Sequence, residues 1–314
     1  MLTKLYGWFK SPQHLIGASI LRITLGILIL YSYVANYSLR QYFWGDSGII
    51  DNASYTEMNR VFFSVYGLWD GAVMFEIIYH LGMLITFLFT LGFGGKIVQI
   101  LNYIFTFSLI NRNGLISDGG DNLLYVCLFY MLFMNVTAYF SFKLKNKSKL
   151  SYKFQEQRAI LHNFGVIFVI AQLSLMYFMS GFYQAMGERW SSGTAVYYIM
   201  QVEQYSIGLL PDFLITNPEF IVIATYASVL IKLAFPFAIF NRYTKYIVLT
   251  GIVLFHLGIL FQMGLVTFSL IMIAMDLLLI TNKEYRACHN MLQNGIEKIR
   301  KRWRTGRKEE RTSA

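Results

Sequence analysis

Apolar residues recur along this chain in long unbroken blocks, each near or beyond the roughly 20 residues with which an α-helix crosses a bilayer. Leu15 to Ala35, Ala72 to Phe93 and Leu123 to Phe142 are blocks of this kind. They lack the alternation of apolar and polar residues that marks an outer-membrane β-barrel. The pattern therefore predicts an all-α fold, a polytopic transmembrane helical bundle.

A further apolar stretch, Tyr246 to Ile280, is too long for one span. As a single helix its 35 residues would measure about 52 Å, whereas the hydrocarbon core of a bilayer is about 30 Å thick. Met263-Gly264 is the expected turn between two short spans. About eight transmembrane helices are predicted, at 14–38, 72–93, 97–113, 121–142, 159–182, 218–240, 246–262 and 264–280.

The chain after Ile280 is basic and amphipathic. Its apolar residues recur at spacings of three and four, which places them on one helical face, and basic residues occupy the other faces. We expect a helix on anionic lipid at the inner membrane surface, with a disordered tail as the alternative because Gly295 weakens the helix. The chain thus divides into a transmembrane domain, 1–282, and a cytoplasmic tail, 283–314. The apolar face consists of Tyr285, Cys288, Leu292, Ile296, Ile299 and Trp303.

Composition supports a membrane environment. The chain is 56% hydrophobic and 14% charged, whereas soluble domains carry about 25% charged residues. With the N-terminus inside, 21 of the 27 Lys and Arg residues fall on the cytoplasmic side and four on the other. This bias predicts that both termini are cytoplasmic. Because topology explains the net charge of +10, no nucleic-acid partner is expected.

The predicted outer loops carry ten acids and four bases. This surface could attract a cationic partner. Alternatively, it is a solvated face with few basic residues because Lys and Arg concentrate on the cytoplasmic side. Asp118 and Asp121 lie in a Gly-rich and Asn-rich turn before the fourth span, where carboxylates and backbone amides can come close together. Two roles are open for this turn, a cap of the following helix and a binding site.

Six charged residues or histidines lie at least four residues from the ends of the predicted spans, where side chains of this kind should face the bundle interior or a wet cavity. His80 and His256 are candidate catalytic residues for proton transfer, and Arg22 or Lys232 could hold an anion. Glu76 and His80 are four residues apart and share one helix face. The alternative is a structural set of interior ion pairs and hydrogen-bonded histidines. The six are Arg22, Glu76, His80, Lys232, His256 and Asp276.

No metal site is predicted, because only Glu76 and His80 have the helical spacing of metal ligands. A phosphate loop, a dinucleotide fingerprint and a nucleophile elbow are also missing from the sequence. The sequence therefore leaves the cofactor unknown.

Three segments together resemble the HTTM domain family, which takes its name from the membrane portion of vitamin K-dependent gamma-carboxylase. They are Ser117 to Asp121, Trp190 to Tyr198 and Phe255 to Met272. Within that family, the chain is similar to the bacterial sporulation-delaying protein B type over nearly its whole length. The resemblance implies a multi-pass protein of the bacterial plasma membrane that acts in the maturation of a secreted antimicrobial peptide toxin. Its implied partners are the toxin precursor peptide and a small partner protein.

Gamma-carboxylation itself is not expected. A carboxylase carries a catalytic lysine shortly before the tryptophan that matches Trp190, and Gly181 to Arg189 contains no lysine. The family often has an acid at the position of Lys232. Whether the chain is an enzyme stays open, and the alternatives are a transporter or immunity protein that binds the peptide without chemistry, or a small-molecule membrane enzyme. The candidate binding residues are Arg22, Glu76, Asp118, Asp121, Trp190, Lys232 and Asp276.

Overall fold

The computed structural model describes residues 2–58, 63–142, 152–203, 207, 209, 211 and 216–312. Within these ranges the chain is 81% helix and has no β-strand, so the predicted all-α class is confirmed. The helices in chain order are α1 (Leu2–Lys10), α2 (Leu15–Ala35), α3 (Arg40–Trp44), α4 (Asn52–Met58), α5 (Ala72–Leu91), α6 (Gly95–Arg112), α7 (Gly119–Met131), α8 (Tyr152–Met186), α9 (Glu188–Ser191), α10 (Ala195–Met200), α11 (Pro218–Ala238), α12 (Arg242–Met263), α13 (Val266–Asp276) and α14 (Asn282–Thr312).

Five helices of the described chain, α2, α5, α8, α11 and α12, are long and apolar enough to cross a membrane. α13 and α14 meet at a bend of 101° and make a sixth candidate if the two together form one broken span. α6 has 18 residues and α7 has 13, and neither meets the same criterion alone. Length and composition therefore support five to six spans, where the apolar blocks predict eight.

α2 begins at one end of the bundle, which we name the His14 end. The ring nitrogen Nδ1 of His14 lies 2.8 Å from the Leu278 carbonyl oxygen, and the Ile16 amide donates to Asn282 Oδ1 at 2.9 Å. Asn163 Nδ2, in the first half of α8, donates to backbone carbonyls at the end of α1. The start of α2, the start of α8 and the end of α13 therefore lie together.

α2 ends at the opposite side of the bundle, which we name the Trp44 end. Its 21 residues span about 31 Å at 1.5 Å per residue. Here Asn113, just after α6, donates from Nδ2 to the Phe43 carbonyl oxygen at 2.8 Å. The Tyr226 hydroxyl of α11 donates to the Ser191 carbonyl oxygen at 2.8 Å. Contacts of the described residues show that α5 is antiparallel to α2, because Tyr79 contacts Tyr33 and Phe89 contacts Arg22. α13 runs from Phe268, beside Gly120, towards His14. The helices of the bundle in chain order are α2, α5, α6, α7, α8, α11, α12 and α13.

The outer surface of these helices is apolar. On α5, Val73, Ile77 and Leu84 share one face and are each more than half exposed. On α11, Ile223 and Leu230 are exposed in the same way. Large exposed apolar surfaces mark contact with protein or lipid, and such faces on both α5 and α11 are expected of a bundle in a bilayer.

The prediction for 121–142 is wrong in its second half, because α7 ends at Met131. The backbone that follows is not helical, and side chains of other elements satisfy its polar groups. Lys96 Nζ donates to two of its carbonyl oxygens at 2.7 and 3.0 Å, while His162 and Ser19 accept hydrogen bonds from its amides at 2.9 and 3.1 Å. Non-helical backbone at membrane depth is tolerated only where protein satisfies it in this way.

Two further predictions concern the end of the chain. The turn at Met263-Gly264 is confirmed, because α12 ends at Met263 and Gly264 has a φ of +69°, a left-handed conformation that glycine adopts without a Cβ clash. α14 is a helix, as the amphipathic pattern predicts, and its Leu292 and Ile296 side chains are exposed. Two residues of the predicted apolar face, Ile299 and Trp303, have side chains outside the described part of the structure.

Candidate functional site

Three polar side chains meet in the apolar interior, where α8, α12 and α13 pack together. Tyr177 Oη donates a hydrogen bond of 2.8 Å to Asp276 Oδ2 and lies 3.1 Å from His256 Nε2. None of the three residues is more than 2% exposed. We name this group the Tyr177 site.

Aromatic rings enclose the Tyr177 site. The ring centroid of Phe235, on α11, lies 4.6 Å from that of Tyr177, and the ring centroid of Phe268, on α13, lies 5.7 Å from that of His256. Water is poorly accommodated among such rings, so hydrogen bonds in the site act in a low local dielectric and are correspondingly strong. An unpaired polar atom in this setting is costly for the same reason.

The hydrogen bonds of the Tyr177 site have a definite order when Asp276 is ionised. The Tyr177 hydroxyl has one hydrogen, which it donates to the carboxylate, so His256 donates from Nε2 to the hydroxyl oxygen. This assignment of the histidine tautomer follows from the hydrogen-bond network. His256 Nδ1 is then a bare acceptor, and neither it nor Asp276 Oδ1 has a hydrogen-bond partner among the described residues. The result is a chain of two hydrogen bonds with an open acceptor at each end.

Lys232 lies beside the Tyr177 site and forms no ion pair with an acid of the described residues. Its Nζ donates to Gln184 Oε1 at 3.1 Å, and it lies 4.0 Å from the ring centroid of Phe255 and 5.9 Å from that of Trp190. The ring centroid of Phe255 lies 5.3 Å from that of His256, so the ammonium adjoins the histidine through this ring. Because the residue is only 4% exposed and cation–π contacts compensate burial only in part, Lys232 is a buried cation that can accept an anion.

Glu76 and His80 form a separate cluster near the Trp44 end. Glu76 Oε2 accepts a hydrogen bond of 3.0 Å from Arg40 Nε, and its Oε1 accepts one of 2.8 Å from Gln41. His80 Nε2 lies 3.0 Å from the Tyr37 hydroxyl, and the His80 side chain is 43% exposed. Glu76 thus pairs with Arg40 of α3, which lies outside the predicted spans. No contact of the described residues joins this surface cluster to His256.

Arg22 caps a helix. Its Nη1 donates to the carbonyl oxygens of Phe89 and Thr90 at 3.1 and 2.9 Å, and its Nη2 donates to the Phe140 carbonyl oxygen at 2.5 Å. The first two carbonyls belong to the last turn of α5, where backbone acceptors have no intrahelical donor and the helix dipole favours a cation. Arg22 is fully buried and its charge is stabilised by these dipoles.

Asp118 and Asp121 lie at the start of α7, at the Trp44 end. Asp118 Oδ1 accepts hydrogen bonds from the amides of Gly120 and Asp121 at 2.7 and 3.1 Å, and Asp121 Oδ2 accepts one from the Asp118 amide at 3.0 Å. This reciprocal arrangement is a capping box, so the capping role of the turn is confirmed. Both residues also line a cavity of about 300 Å³.

The structure brings four of the nine candidate residues into one region, with His256 and Asp276 in the Tyr177 site and Lys232 and Trp190 next to it. The other five lie elsewhere, as described above. Interior ion pairs are expected among the Lys, Arg, Asp and Glu residues inside the predicted spans, and none joins two of these residues in the described chain. The ion pairs of that part of the chain join Lys10 to Glu156, Arg40 and His80 to Glu76, and Lys245 to Glu284.

Sequence reasoning missed Tyr177, which joins the two ionisable residues of the site. It is one of 22 tyrosines, and a search for charge inside spans passes over a neutral side chain. The only available signal was its place within the long apolar helix α8. In the described part of the chain no group of three or more His, Cys, Asp or Glu residues has the arrangement of a metal site.

Comparisons of the chain with protein-family models, with characterised proteins and with solved structures gave no match. The features that bear on function are therefore the helical fold, with its five to six candidate membrane spans, and the chemistry of the Tyr177 site.

Proposed function

We propose that this chain crosses the bacterial plasma membrane eight times, with both termini in the cytoplasm. The succession of eight bundle helices along the chain supports this number, with α6, α7 and α13 as the short or polar members. The basic loop at 143–158 and the basic tail support the assignment of the His14 end to the cytoplasm.

The protein acts in the maturation of a secreted antimicrobial peptide, as its resemblance to the HTTM family implies. It works on a toxin precursor peptide together with a small partner protein. The observation that carries a chemical role is the Tyr177 site, because a histidine and a carboxylate buried in apolar surroundings and joined by one hydroxyl are costly to maintain unless they are used.

The chemistry that this site supports is proton transfer. His256 Nδ1 takes a proton from the bound substrate and Nε2 releases its proton to the Tyr177 oxygen. Tyr177 in turn passes its own proton to Asp276 Oδ2, so one proton moves from the substrate to the carboxylate and both intermediate groups stay neutral. The substrate is left as an anion, which the Lys232 ammonium stabilises.

Deletion of the gene tests the maturation role. Precursor synthesis should continue in the deletion strain while the precursor stays unprocessed or inactive. Active peptide at the normal level in that strain would rule out this role.

Substitution of the histidines tests the catalytic role. His256→Asn should lower the yield of active peptide about 10²- to 10⁴-fold, the usual contribution of a proton-transfer group, while membrane abundance holds. His80→Asn is the matched control, because His80 is a half-exposed histidine outside the Tyr177 site, and it should leave the yield unchanged. If the yield of the His256 variant falls only in proportion to its abundance, the histidine is structural.

A second candidate is a transporter or immunity protein that binds the peptide without chemistry, and the acidic cavity beside Asp118 favours it. A protein of this kind would keep its activity in the His256→Asn variant. A membrane enzyme that acts on a small molecule would instead leave peptide maturation intact in the deletion strain.

A further inference from the structure

A cavity of about 300 Å³ opens at the Trp44 end, between α2, α6 and α7. This volume is at the lower limit of ligand pockets in proteins, so it suits a single side chain or a chain terminus. Its walls combine acidic, neutral polar and apolar side chains, among them Asn36, Asn113, Asp118, Asp121, Leu109 and Leu124.

The two carboxylates of this cavity have unused acceptor capacity. Each uses one oxygen for the capping box, Asp118 its Oδ1 and Asp121 its Oδ2. The other oxygen of each has no hydrogen-bond partner among the described residues, and none of the ion pairs within that part of the chain involves either residue. Two neighbouring acidic residues therefore line the cavity without a cationic ion-pair partner in the described chain.

Thr106 gives a second and independent indication of a ligand. It lines the same cavity from α6 and is 2% exposed. Its hydroxyl has no hydrogen-bond partner in the described structure. A buried hydroxyl without a partner costs free energy, and a ligand with a hydrogen-bonding group in the cavity would satisfy it.

We propose that this cavity binds a primary ammonium group carried on a short apolar chain. An ammonium has three donors and no acceptor, which matches two free carboxylate oxygens and one hydroxyl oxygen. Leu109 and Leu124 provide apolar surface for the carbon chain. A metal ion fits less well, because no group of three or more His, Cys, Asp or Glu residues in the described chain could hold one.

The ammonium group belongs to the peptide on which the protein acts, either to a lysine side chain or to the N-terminus, and this step alone rests on the proposed function. The cavity adjoins the Tyr177 site along α13. Thr267 lines the cavity, and the ring of the next residue, Phe268, contacts the His256 ring. A peptide anchored here by its cation would therefore lie close to Phe268, one of the rings that enclose the Tyr177 site.

Calorimetric titration of the purified full-length protein in lipid nanodiscs tests the inference. Nα-acetyl-lysine amide presents only the side-chain ammonium and leucine amide only the terminal one, while Nα-acetyl-norleucine amide is the neutral control. We expect at least one cationic probe to bind at least tenfold more tightly than the neutral probe, and the tighter of the two identifies the source of the ammonium.

The matched variant is Asp118→Asn combined with Asp121→Asn, because asparagine keeps the capping acceptor oxygens and removes both charges. It should weaken binding of the cationic probe at least tenfold, while Glu188→Gln, an outer acid outside the cavity, should not. Equal binding of neutral and cationic probes, no binding of either cation, or unchanged binding by the double variant would overturn the inference. Binding of calcium chloride alone, abolished by the double variant, would make the cavity a metal site instead.

This assay measures binding in the purified protein and is independent of peptide yield. If ammonium binding fails while His256→Asn still abolishes maturation, the cavity inference is wrong and the proposed function stands. If ammonium binding holds while the deletion strain matures its peptide normally, the reverse is true.

Discussion

The Tyr177 hydroxyl and the Asp276 carboxylate meet across the contact of α8 with α13, at 2.8 Å, and no cation of the described chain forms an ion pair with that carboxylate. A buried carboxylate is tolerated only where hydrogen bonds or charges compensate it. Tyr177 is therefore the principal stabilising partner of Asp276. Since the same hydrogen bond belongs to the proposed proton path, stability and activity must be measured together.

Tyr177→Phe should lower the free energy of unfolding by about 2 kcal/mol, because it removes the hydrogen bond and leaves the carboxylate buried without it. Asp276→Leu should be tolerated better when it is combined with Tyr177→Phe, since the hydroxyl and the carboxylate are then both removed, and His256 Nε2 alone loses its partner. The double-mutant cycle should give a coupling of about 1–3 kcal/mol, measured by unfolding in mixed micelles. A coupling near zero would mean that the two side chains do not stabilise each other.

Arg22→Leu should destabilise the fold by about 3 kcal/mol or more, because three backbone carbonyls lose a charged donor. Gly92→Ala should act in the same direction, since Gly92 has a φ of +72° and an added Cβ would overlap Arg22 Nη1. Gly295→Ala is the control, because nothing lies within 4 Å of its added Cβ and alanine favours a helix. The measurement is the fraction of monodisperse protein that survives heating in detergent. Equal survival of the two glycine variants would contradict the role of Arg22.

The eight-span topology predicts the side on which a reporter fused to each loop will lie. Fusions at Lys147 and after Arg304 should report the cytoplasm, and fusions near Asn52 and Ser206 should report the outside, because of the bias in Lys and Arg. Lys147 and Ser206 lie outside the described residues, so the fusions add information that the structure does not contain. One loop on the unexpected side would break the model of eight spans.

Glu284 fixes the start of α14 to the bundle. Its Oε2 accepts hydrogen bonds from Lys245 Nζ and from the Thr281 amide, both at 2.8 Å. Glu284→Gln should cost about 2 kcal/mol locally and accelerate amide hydrogen exchange in the first turns of α14 about 30-fold. Glu297→Gln, in an exposed position of the same helix, should leave exchange in those turns unchanged. The same acceleration in both variants would show that Glu284 does not anchor the helix.

The positions of many helices could be predicted from the sequence, because long apolar blocks indicate membrane-spanning helices and glycine often marks the end of a helix. α5 and α12 begin and end within a few residues of the predicted spans. The block at 121–142 shows the limit of this reasoning. Its apolar residues indicate membrane depth, but whether the backbone is helical there depends on donors and acceptors supplied by Lys96, His162 and Ser19, which are distant in the sequence.

The site could be predicted only in part, because counting charges does not reveal their partners. Two cations and two acids inside the predicted spans could neutralise one another in pairs. In the structure, Arg22 contacts backbone carbonyls and Glu76 contacts Arg40. Lys232 contacts an amide and two aromatic rings. Dipoles, rings and hydroxyl groups can each stabilise a buried charge, and only the packing of helices decides which of them is near.

Arg22 also constrains the order in which the protein is built. The first apolar helix leaves the ribosome with a permanent charge whose carbonyl partners follow 67, 68 and 118 residues later in the chain. A guanidinium in the middle of a lone span costs about 2.5–3.5 kcal/mol, although α2 is long and apolar enough to cross a membrane. The newly inserted helix is thus a provisional intermediate. α5 and then the segment at Phe140 supply its carbonyl partners as each emerges, so that assembly around Arg22 follows the direction of translation.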